Sequence, residues 1–441
     1  MTIEPLTVGF IGFGILFLLL FLGMPIGFTF AIIGFSGAAY FLGWTNALQY
    51  LTSTPFTVFN LSYTMTVVPL FIFMGALCYY AGVSSELYFT VYNWIGRLPG
   101  GLAMATVGAC AMFAAVSGSS LATAATMGTV ALPEMRKYKY DDALATGAVA
   151  AGGTIGILIP PSIALVIYGL FAEQSIGRLF AAGLIPGILE AVFYMITIFT
   201  LSKINPHYGP PGPRTTWRTK IYSLKATWSV VVLFGMVMGG LYFGFFTPTE
   251  AGAVGAFGAF VIALGRRRLT WHGLASSLAD SGKTVGFIFL ILLGAIIFFY
   301  FMVQSQVPER LSAFIVGLQV NRYIIIAGLM VMYIFLGCVM EGLAIILLTT
   351  SVILPLVVSM GFDPIWFGII LVRVLEMGLI TPPVGINVFV IKGVAKDVPM
   401  YTIFKGIIPF LIADIFHVTL LIAVPKVVMW LPDMMRQMQT R

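Results

Sequence analysis

Apolar residues do not alternate with polar ones along this chain; they run on in long blocks. Stretches at 5–22, 24–43 and 65–82 are each long enough to cross the hydrocarbon of a bilayer as a helix, which takes about 18 apolar residues or more. A closed barrel would show alternating segments of about ten residues instead. A more polar piece at 86–98, with Trp94 and Arg97, suits a helix lying at the membrane interface. Next come 101–135, broken in the middle by Ser117-Gly118-Ser119-Ser120; 142–172, broken by Pro160-Pro161; and 179–201. The polar, proline-rich stretch 203–225 is the one long linker. Beyond it the plan repeats: spans at 226–246, 248–265 and 284–303, an interfacial piece at 307–318, a pair at 323–360 broken around 337–342, a span at 365–394 broken by Pro382-Pro383, and a last span at 406–429.

The repetition has a fixed register. Pro133 and Pro355, Gly156 and Gly378, and the two double prolines all stand at one common spacing, and Pro186 and Pro409 differ by one position more. Residues 1–202 and 226–441 are therefore expected to be two repeats joined by a linker. Each repeat should hold outer helices, an interfacial arm (about 85–98 and 307–318), a helical hairpin (101–135 and 323–360) and a broken helix (142–172 and 365–394).

Composition agrees with a lipid environment. The chain is 60% hydrophobic and 9% charged, against about 25% charged in a soluble domain. The net charge of +7 does not point to nucleic acid, because the basic residues sit in short loops between spans, as topology determinants do. With 203–225 placed in the cytosol and each hairpin re-entrant, most of the 23 basic residues fall on the cytosolic side, among them Arg136, Lys137, Lys139, Arg266, Arg267, Arg268 and Lys283. Arg178, Arg310, Arg322, Lys426, Arg436 and Arg441 fall outside, and Arg373 lies within a span. Both termini then face outward, the 266–283 loop is cytosolic, and the two halves are inverted in the membrane, an arrangement many secondary transporters use. The first span has neither a basic stretch before it nor a small-residue cleavage site after it, so it reads as a retained span. Cys78, Cys110 and Cys338 lie far apart in apolar runs and read as small buried hydrophobes.

Three features carry chemistry. The first is the pair of proline breaks, Pro160-Pro161 and Pro382-Pro383, with Gly156 and Gly378 just ahead of them. Proline removes an amide donor and clashes with the preceding turn. Non-helical backbone at membrane depth is tolerated only where protein buries it or a cavity meets it. Freed carbonyls there are good ligands for Na⁺, and the fresh helix N-terminus favours an anion; a plain kink is the competing reading. The second is the two hairpin tips. Ser117, Ser119, Ser120, Thr123 and Thr126 supply small hydroxyls, which otherwise serve close helix packing. The second tip carries Glu341 between apolar stretches, a functional acid or a solvated turn. The third is Arg373 with Glu376, one helical turn apart, either a structural ion pair or a solute contact. One Na⁺ site is expected from Ser117, Ser119, Gly152 and Gly156, and a second from Gly337, Gly378 and Thr381; Ser120, Thr123, Pro160, Pro161, Glu341, Arg373, Pro382 and Pro383 are candidates for solute contact or coupling. No nucleophile–base pair, metal spacing or P-loop is visible. His207 and His272 fall in loops and His417 stands alone in the last span, so neither an enzyme nor an ATP-driven motor is expected on this chain.

Several of these segments resemble the large membrane subunit of TRAP transporters, the tripartite ATP-independent periplasmic transporters of the DctM family. They are Ser117-Gly118-Ser119-Ser120 with the run from Ala122 to Gly128 and Pro133-Glu134-Met135; the run from Ala151 to Ser162; Thr247-Pro248-Thr249-Glu250-Ala251; and the run from Glu376 to Gly385. The resemblance covers nearly the whole chain. It implies an all-α polytopic protein of the ion-transporter superfamily, of elevator type, with two inverted repeats. Two re-entrant hairpins and two broken helices would form the moving domain. It also implies Na⁺ as coupling ion at tips and breaks, with no organic cofactor. A small four-span subunit (DctQ type) and a periplasmic substrate-binding protein (DctP type) would be the partners. The cargo would be a small organic anion, commonly a carboxylate, and the setting the bacterial inner membrane. A self-sufficient Na⁺/dicarboxylate symporter of related fold is the alternative.

Overall fold

The computed structural model describes residues 4–60, 63–317 and 320–439; among these, every regular element is a helix. In chain order the first half holds α1 (Pro5–Phe21), α2 (Ile26–Leu42), α3 (Trp44–Asn60), α4 (Val67–Tyr80), α5 (Val83–Ile95), α6 (Gly101–Ser117), α7 (Ser120–Lys137), α8 (Asp142–Thr154), α9 (Ile163–Phe171) and α10 (Ile176–Ile204). The second half holds α11 (Trp217–Tyr242), α12 (Pro248–Gly265), α13 (Trp271–Gln304), α14 (Val307–Gly317), α15 (Arg322–Val339), α16 (Gly342–Ser359), α17 (Pro364–Ile380), α18 (Ile386–Val394), α19 (Met400–Ala423) and α20 (Lys426–Gln439). Eight helices among the described residues are long and apolar enough to span a membrane, and the chain is a multi-pass membrane protein.

Caps explain where the inner helices start. Asp141 accepts from the amides of Ala143 and Leu144 at 2.9 and 3.1 Å and opens α8. Asp363, at the repeat spacing from it, accepts from Ile365 and Trp366 at 2.7 and 3.2 Å and opens α17. Ser119 and Ser162 start α7 and α9 in the same way. Each cap satisfies amides that a helix start leaves orphaned. Two inner helices run on through proline, since Pro133 and Pro355 lie inside α7 and α16.

The helices pack in two sets. In the outer set α2 lies along α13, α4 lies between α12 and α13, and α11 contacts both α5 and α12. Glycines set some of these distances: a Cβ on Gly27 would stand 2.8 Å from the backbone of Leu290. The inner set joins α6–α10 to α15–α19, and the halves interlock. Helix α18, after the second break, packs on α7 of the first hairpin, while α9, after the first break, packs on α16 of the second.

Several boundaries differ from the sequence expectation. Helix α3 fills a region that carried no assigned element. The supposed linker 203–225 is irregular only between Ile204 and Trp217, because α10 runs on to Ile204 and Thr216 caps α11 early. That short segment is pinned: Gly100 donates to the carbonyl of Gly209 at 2.8 Å, Gly212 to that of Gly96 at 2.9 Å, and Asp141 to that of Tyr208 at 3.2 Å. The 266–283 loop is helical from Trp271, since Thr270 caps α13 by accepting from Gly273 at 3.0 Å. The last span ends at Ala423, and a separate helix, α20, follows and packs on α10. Leu318 and Arg441, which entered the expectations for the second arm and for the orientation, lie outside the described residues.

Candidate functional site

Both tips, with Ile157 and Ile163 flanking the first break and Leu379 and Ile386 flanking the second, line one cavity of about 620 Å³; the double prolines themselves are not part of that lining. The first tip closes with Gly118 in the left-handed region, at φ 60°. A Cβ there would sit 2.6 Å from the carbonyl oxygen of Pro161, so glycine lets the tip press against the first break. Behind it the hydroxyls interlock: Ser117 Oγ and Thr123 Oγ1 are 2.8 Å apart, and Thr123 donates to the carbonyl of Ser119 at 2.7 Å. A side chain on Gly156 would meet Thr123 Oγ1 at 2.8 Å and the Ser119 carbonyl at 2.9 Å. Ser117, Ser119, Thr123 and Gly156 are thus brought together. Gly152 is not part of that contact. It faces Cys110 Sγ on α6, and its neighbour Gly153 faces α7 instead, with Ser120 O at 3.2 Å from its Cβ position. What Gly152 offers a site is only its carbonyl.

At the second tip the main chains themselves touch. A Cβ on Gly378 would stand 2.6 Å from the Cα of Gly337. Thr381 ends α17, its amide bonded to the Gly378 carbonyl at 3.0 Å and its hydroxyl donating to Met377 O at 2.6 Å. The hydroxyl proton is used there, which leaves the oxygen lone pairs free to accept. Cys338 Sγ lies 3.1 Å from Ile334 O, the nearer acceptor for its one proton, and 3.6 Å from the carbonyl oxygen of Pro382 at the break. Both Pro-Pro peptide bonds are cis. Beyond the break stands Asn387, fully buried in the first turn of α18 with both amide atoms unpartnered. The sequence reading missed it, although its position just after the second break was a usable signal.

The cavity lining is acidic. Glu341 of the second tip, Glu376 of α17 and Asp280 of α13 line it together with Ser117, Ser119 and Ser120, and among the described residues no lysine, arginine or histidine does. Glu341 opens α16 without bonding its amides, and its Oε2 is buried without a partner. Glu376 is 2% exposed and takes only a long hydrogen bond, 3.4 Å, from Ser120 Oγ of the first tip. Asp280 is more exposed and accepts from Tyr80 at 2.5 Å.

Arg373 is not paired with Glu376, and it does not line the cavity. It is fully buried and held from two other helices: its guanidinium pairs with Asp414 of α19 and approaches Glu190 Oε1 of α10 at 3.4 Å. Its Nη2 also donates to Tyr194 at 3.2 Å, and its Nε to His417 Nδ1 at 3.3 Å. One turn of helix places Arg373 and Glu376 close in sequence, but the arginine turns toward α10 and α19 while the glutamate turns toward the cavity. His417, expected to stand alone, is a member of this cluster. Glu190 and Asp414 were missed, although each follows the in-helix proline of its span, Pro186 or Pro409, by about one turn.

A separate link lies outside the spans. Arg136, at the end of α7, donates to Asp397 at 2.8 Å in the turn before α19. That hydrogen bond holds the Asp397 carboxyl below its ordinary range.

Residues 13–427 match the family model described as tripartite ATP-independent periplasmic transporter, DctM component. Over 403 residues the chain is 34% identical to the C4-dicarboxylate TRAP transporter large permease protein DctM of Pseudomonas aeruginosa, with 89% of this chain and 93% of that one covered. Over 423 residues it is 31% identical to the sialic acid TRAP transporter large permease protein SiaM of Vibrio cholerae, with 94% and 96% covered. The solved structure of the Alcanivorax borkumensis YdaH transporter superposes with a TM-score of 0.59 over 87% of this chain and 88% of that one, at 16% identity, a likeness of fold.

Proposed function

The chain belongs to the DctM family of tripartite ATP-independent periplasmic transporters, and from that premise we propose that it carries a small organic anion, a carboxylate, into the bacterial cell by Na⁺ symport and an elevator motion. It is the large membrane subunit of a binding-protein-dependent secondary transporter and not an enzyme. In this reading a four-span permease of DctQ type joins the outer helices, and a periplasmic protein of DctP type delivers the solute. The inner set of helices moves as one body past the outer set.

The observation that carries the proposal is the cavity lined by both tips and by residues flanking both breaks, whose only acidic or basic side chains, among the described residues, are carboxyl groups. Three carboxyl groups and no base offer an anion no countercharge, so cations must enter with it. The tips and breaks hold oxygen donors suited to a hard monovalent cation. Ser117, Ser119 and Gly156, with the carbonyl of Gly152, would hold one Na⁺. Gly337, Gly378 and Thr381 would hold another, and Asn387, just past the same break with its amide unpartnered, is a further candidate ligand. Bound Na⁺ would supply positive charge beside the cavity and so make room for an anion. Arg373 takes no part in solute contact in this reading, because it is held against Asp414 and Glu190 and does not line the cavity.

Uptake by proteoliposomes holding the complete complex tests the proposal, with a panel of carboxylates and imposed gradients. A Na⁺ gradient alone should drive accumulation without ATP. Full accumulation in Na⁺-free medium under a proton gradient would overturn it.

A further inference from the structure

We propose that Glu190 holds a resident proton, occluded between α8, α10, α17 and α19, which completes the charge balance around Arg373. The proposal does not depend on the identity of the solute or the coupling ion.

Two observations carry it. The first is charge. Arg373, Glu190 and Asp414 are all at 0% exposure, so one guanidinium faces two carboxyl groups without solvent. His417 cannot supply the missing positive charge. A guanidinium only donates, so the ring nitrogen receiving Arg373 Nε must be unprotonated, and the imidazole is neutral. Two carboxylates buried on one cation would leave an uncompensated charge in low dielectric, which proteins avoid by neutralising the group.

The second is a count of protons at Thr154. Its hydroxyl lies 2.6 Å from the carbonyl oxygen of Ala151, 2.9 Å from Glu190 Oε1 and 3.2 Å from Tyr194 OH. A hydroxyl has one proton to give. The Ala151 carbonyl can only accept and is the nearest of the three, so it takes that proton. The short contact between Thr154 and Glu190 then needs a proton from the glutamate side. Glu190 is also the carboxyl less well served by arginine, since Asp414 takes the direct hydrogen bond from Nη2, while Glu190 is met by Nη1 only at 3.4 Å and its Oε2 has no partner at all.

Among the described residues no three His, Cys, Asp or Glu side chains gather as a metal site. The titratable groups facing Glu190 are Arg373 and Glu376 of α17, Asp414 and His417 of α19, and Tyr194 of its own helix. Helices α6 and α9 carry no charged residue. Tyr168 of α9 gives its hydroxyl to Pro364 O, and Tyr242 of α11 gives its to Phe180 O, far along α10. The charges of α20, Lys426, Asp433 and Arg436, are exposed, and those of α11 lie in its first turns.

Infrared spectra of the purified full-length chain, in H₂O and D₂O, test this without transport. The difference spectrum of wild type minus Glu190→Gln should hold a carboxylic-acid C=O band, sensitive to D₂O, that belongs to Glu190; any band from Glu341 or Glu376, whose Oε2 atoms are buried without a partner, is common to both chains and cancels. The amide of that variant can still donate to Thr154, so it should fold and melt close to wild type. Asp414→Asn should also lose the band, because Glu190 then becomes the sole counter-ion of Arg373. By linkage, a proton bound on folding makes wild-type stability fall as pH rises, and Glu190→Gln should flatten that slope. A spectrum unchanged by Glu190→Gln would overturn the proposal. So would a Glu190→Gln chain that fails to fold, the behaviour of a lost carboxylate, or a band that survives in a folded Asp414→Asn. Glu190→Gln decides alone if Asp414→Asn does not fold.

Discussion

Arg373 shows how far one residue's role depends on partners that are distant in sequence. Removing it leaves Glu190 and Asp414 buried without a cation, and Arg373→Ala should cost about 3–5 kcal/mol of stability, the usual scale for breaking a buried pair. A double-mutant cycle identifies the partner. Arg373→Leu combined with Asp414→Leu should recover most of the loss, whereas Arg373→Leu combined with Glu376→Leu should recover none; melting temperatures of the three single and two double variants read this out. Recovery with Glu376→Leu would restore the pairing expected from sequence. Thr381 belongs to the same scale. Its hydroxyl proton is committed to Met377, so its oxygen is free for a cation. Thr381→Ala should raise the Na⁺ needed for half-maximal uptake by about tenfold, the effect of losing ~1.4 kcal/mol of binding. An unchanged Na⁺ dependence would remove Thr381 from the site.

Tips and breaks were legible in the sequence, whereas several helices and the ion cluster were not, and the reason is the range of the interactions. A double proline, a Ser-Gly-Ser-Ser turn or a capping aspartate acts within a few residues, so local chemistry reveals it. The polar stretch at 271–283 looked like loop, yet the Thr270 cap starts a helix that simply continues into the span. The last span was drawn to 429 because Val427, Val428 and Met429 extend the hydrophobic run, so the first turn of α20 was merged with it and the rest was left without an element. The ion cluster joins α10 to α17 and α19, elements of different halves, and periodicity within one helix cannot show that. At this scale the tip–break contact makes a direct prediction. Gly118→Ala puts a Cβ 2.6 Å from Pro161 O at a positive φ. The backbone conformation alone costs about 1–3 kcal/mol for a non-glycine residue. The tip should therefore withdraw from the break, and uptake should be lost while the complex still assembles and the solute still binds the periplasmic partner. Wild-type uptake by Gly118→Ala would show that the contact is dispensable.

For the whole molecule the open question is which way it sits in the membrane. The distribution of basic residues places the segment between α10 and α11 in the cytosol and α20 outside. The three native cysteines are buried, so a membrane-impermeant thiol reagent should meet little background. Gly209 is a poor reporter, because its carbonyl is bonded to Gly100 and a Cβ there would stand 2.6 Å from Ser202 Oγ. His207 in the same segment is exposed, and so is Asp433 on α20. In intact spheroplasts Asp433→Cys should label at once and His207→Cys only after permeabilisation. The pinned segment gives this weight beyond charge counting. Its bonds to Gly100 and Asp141 place the bases of the first hairpin and of α8 on the same side as His207. The first hairpin then enters from the cytosol, and its Ser117–Ser120 tip reaches the cavity from that side. If His207→Cys labels first, the arrangement inverts as a unit. The first tip would then face the periplasm, where the binding protein docks, and the two tips would exchange their roles in admitting and releasing the solute.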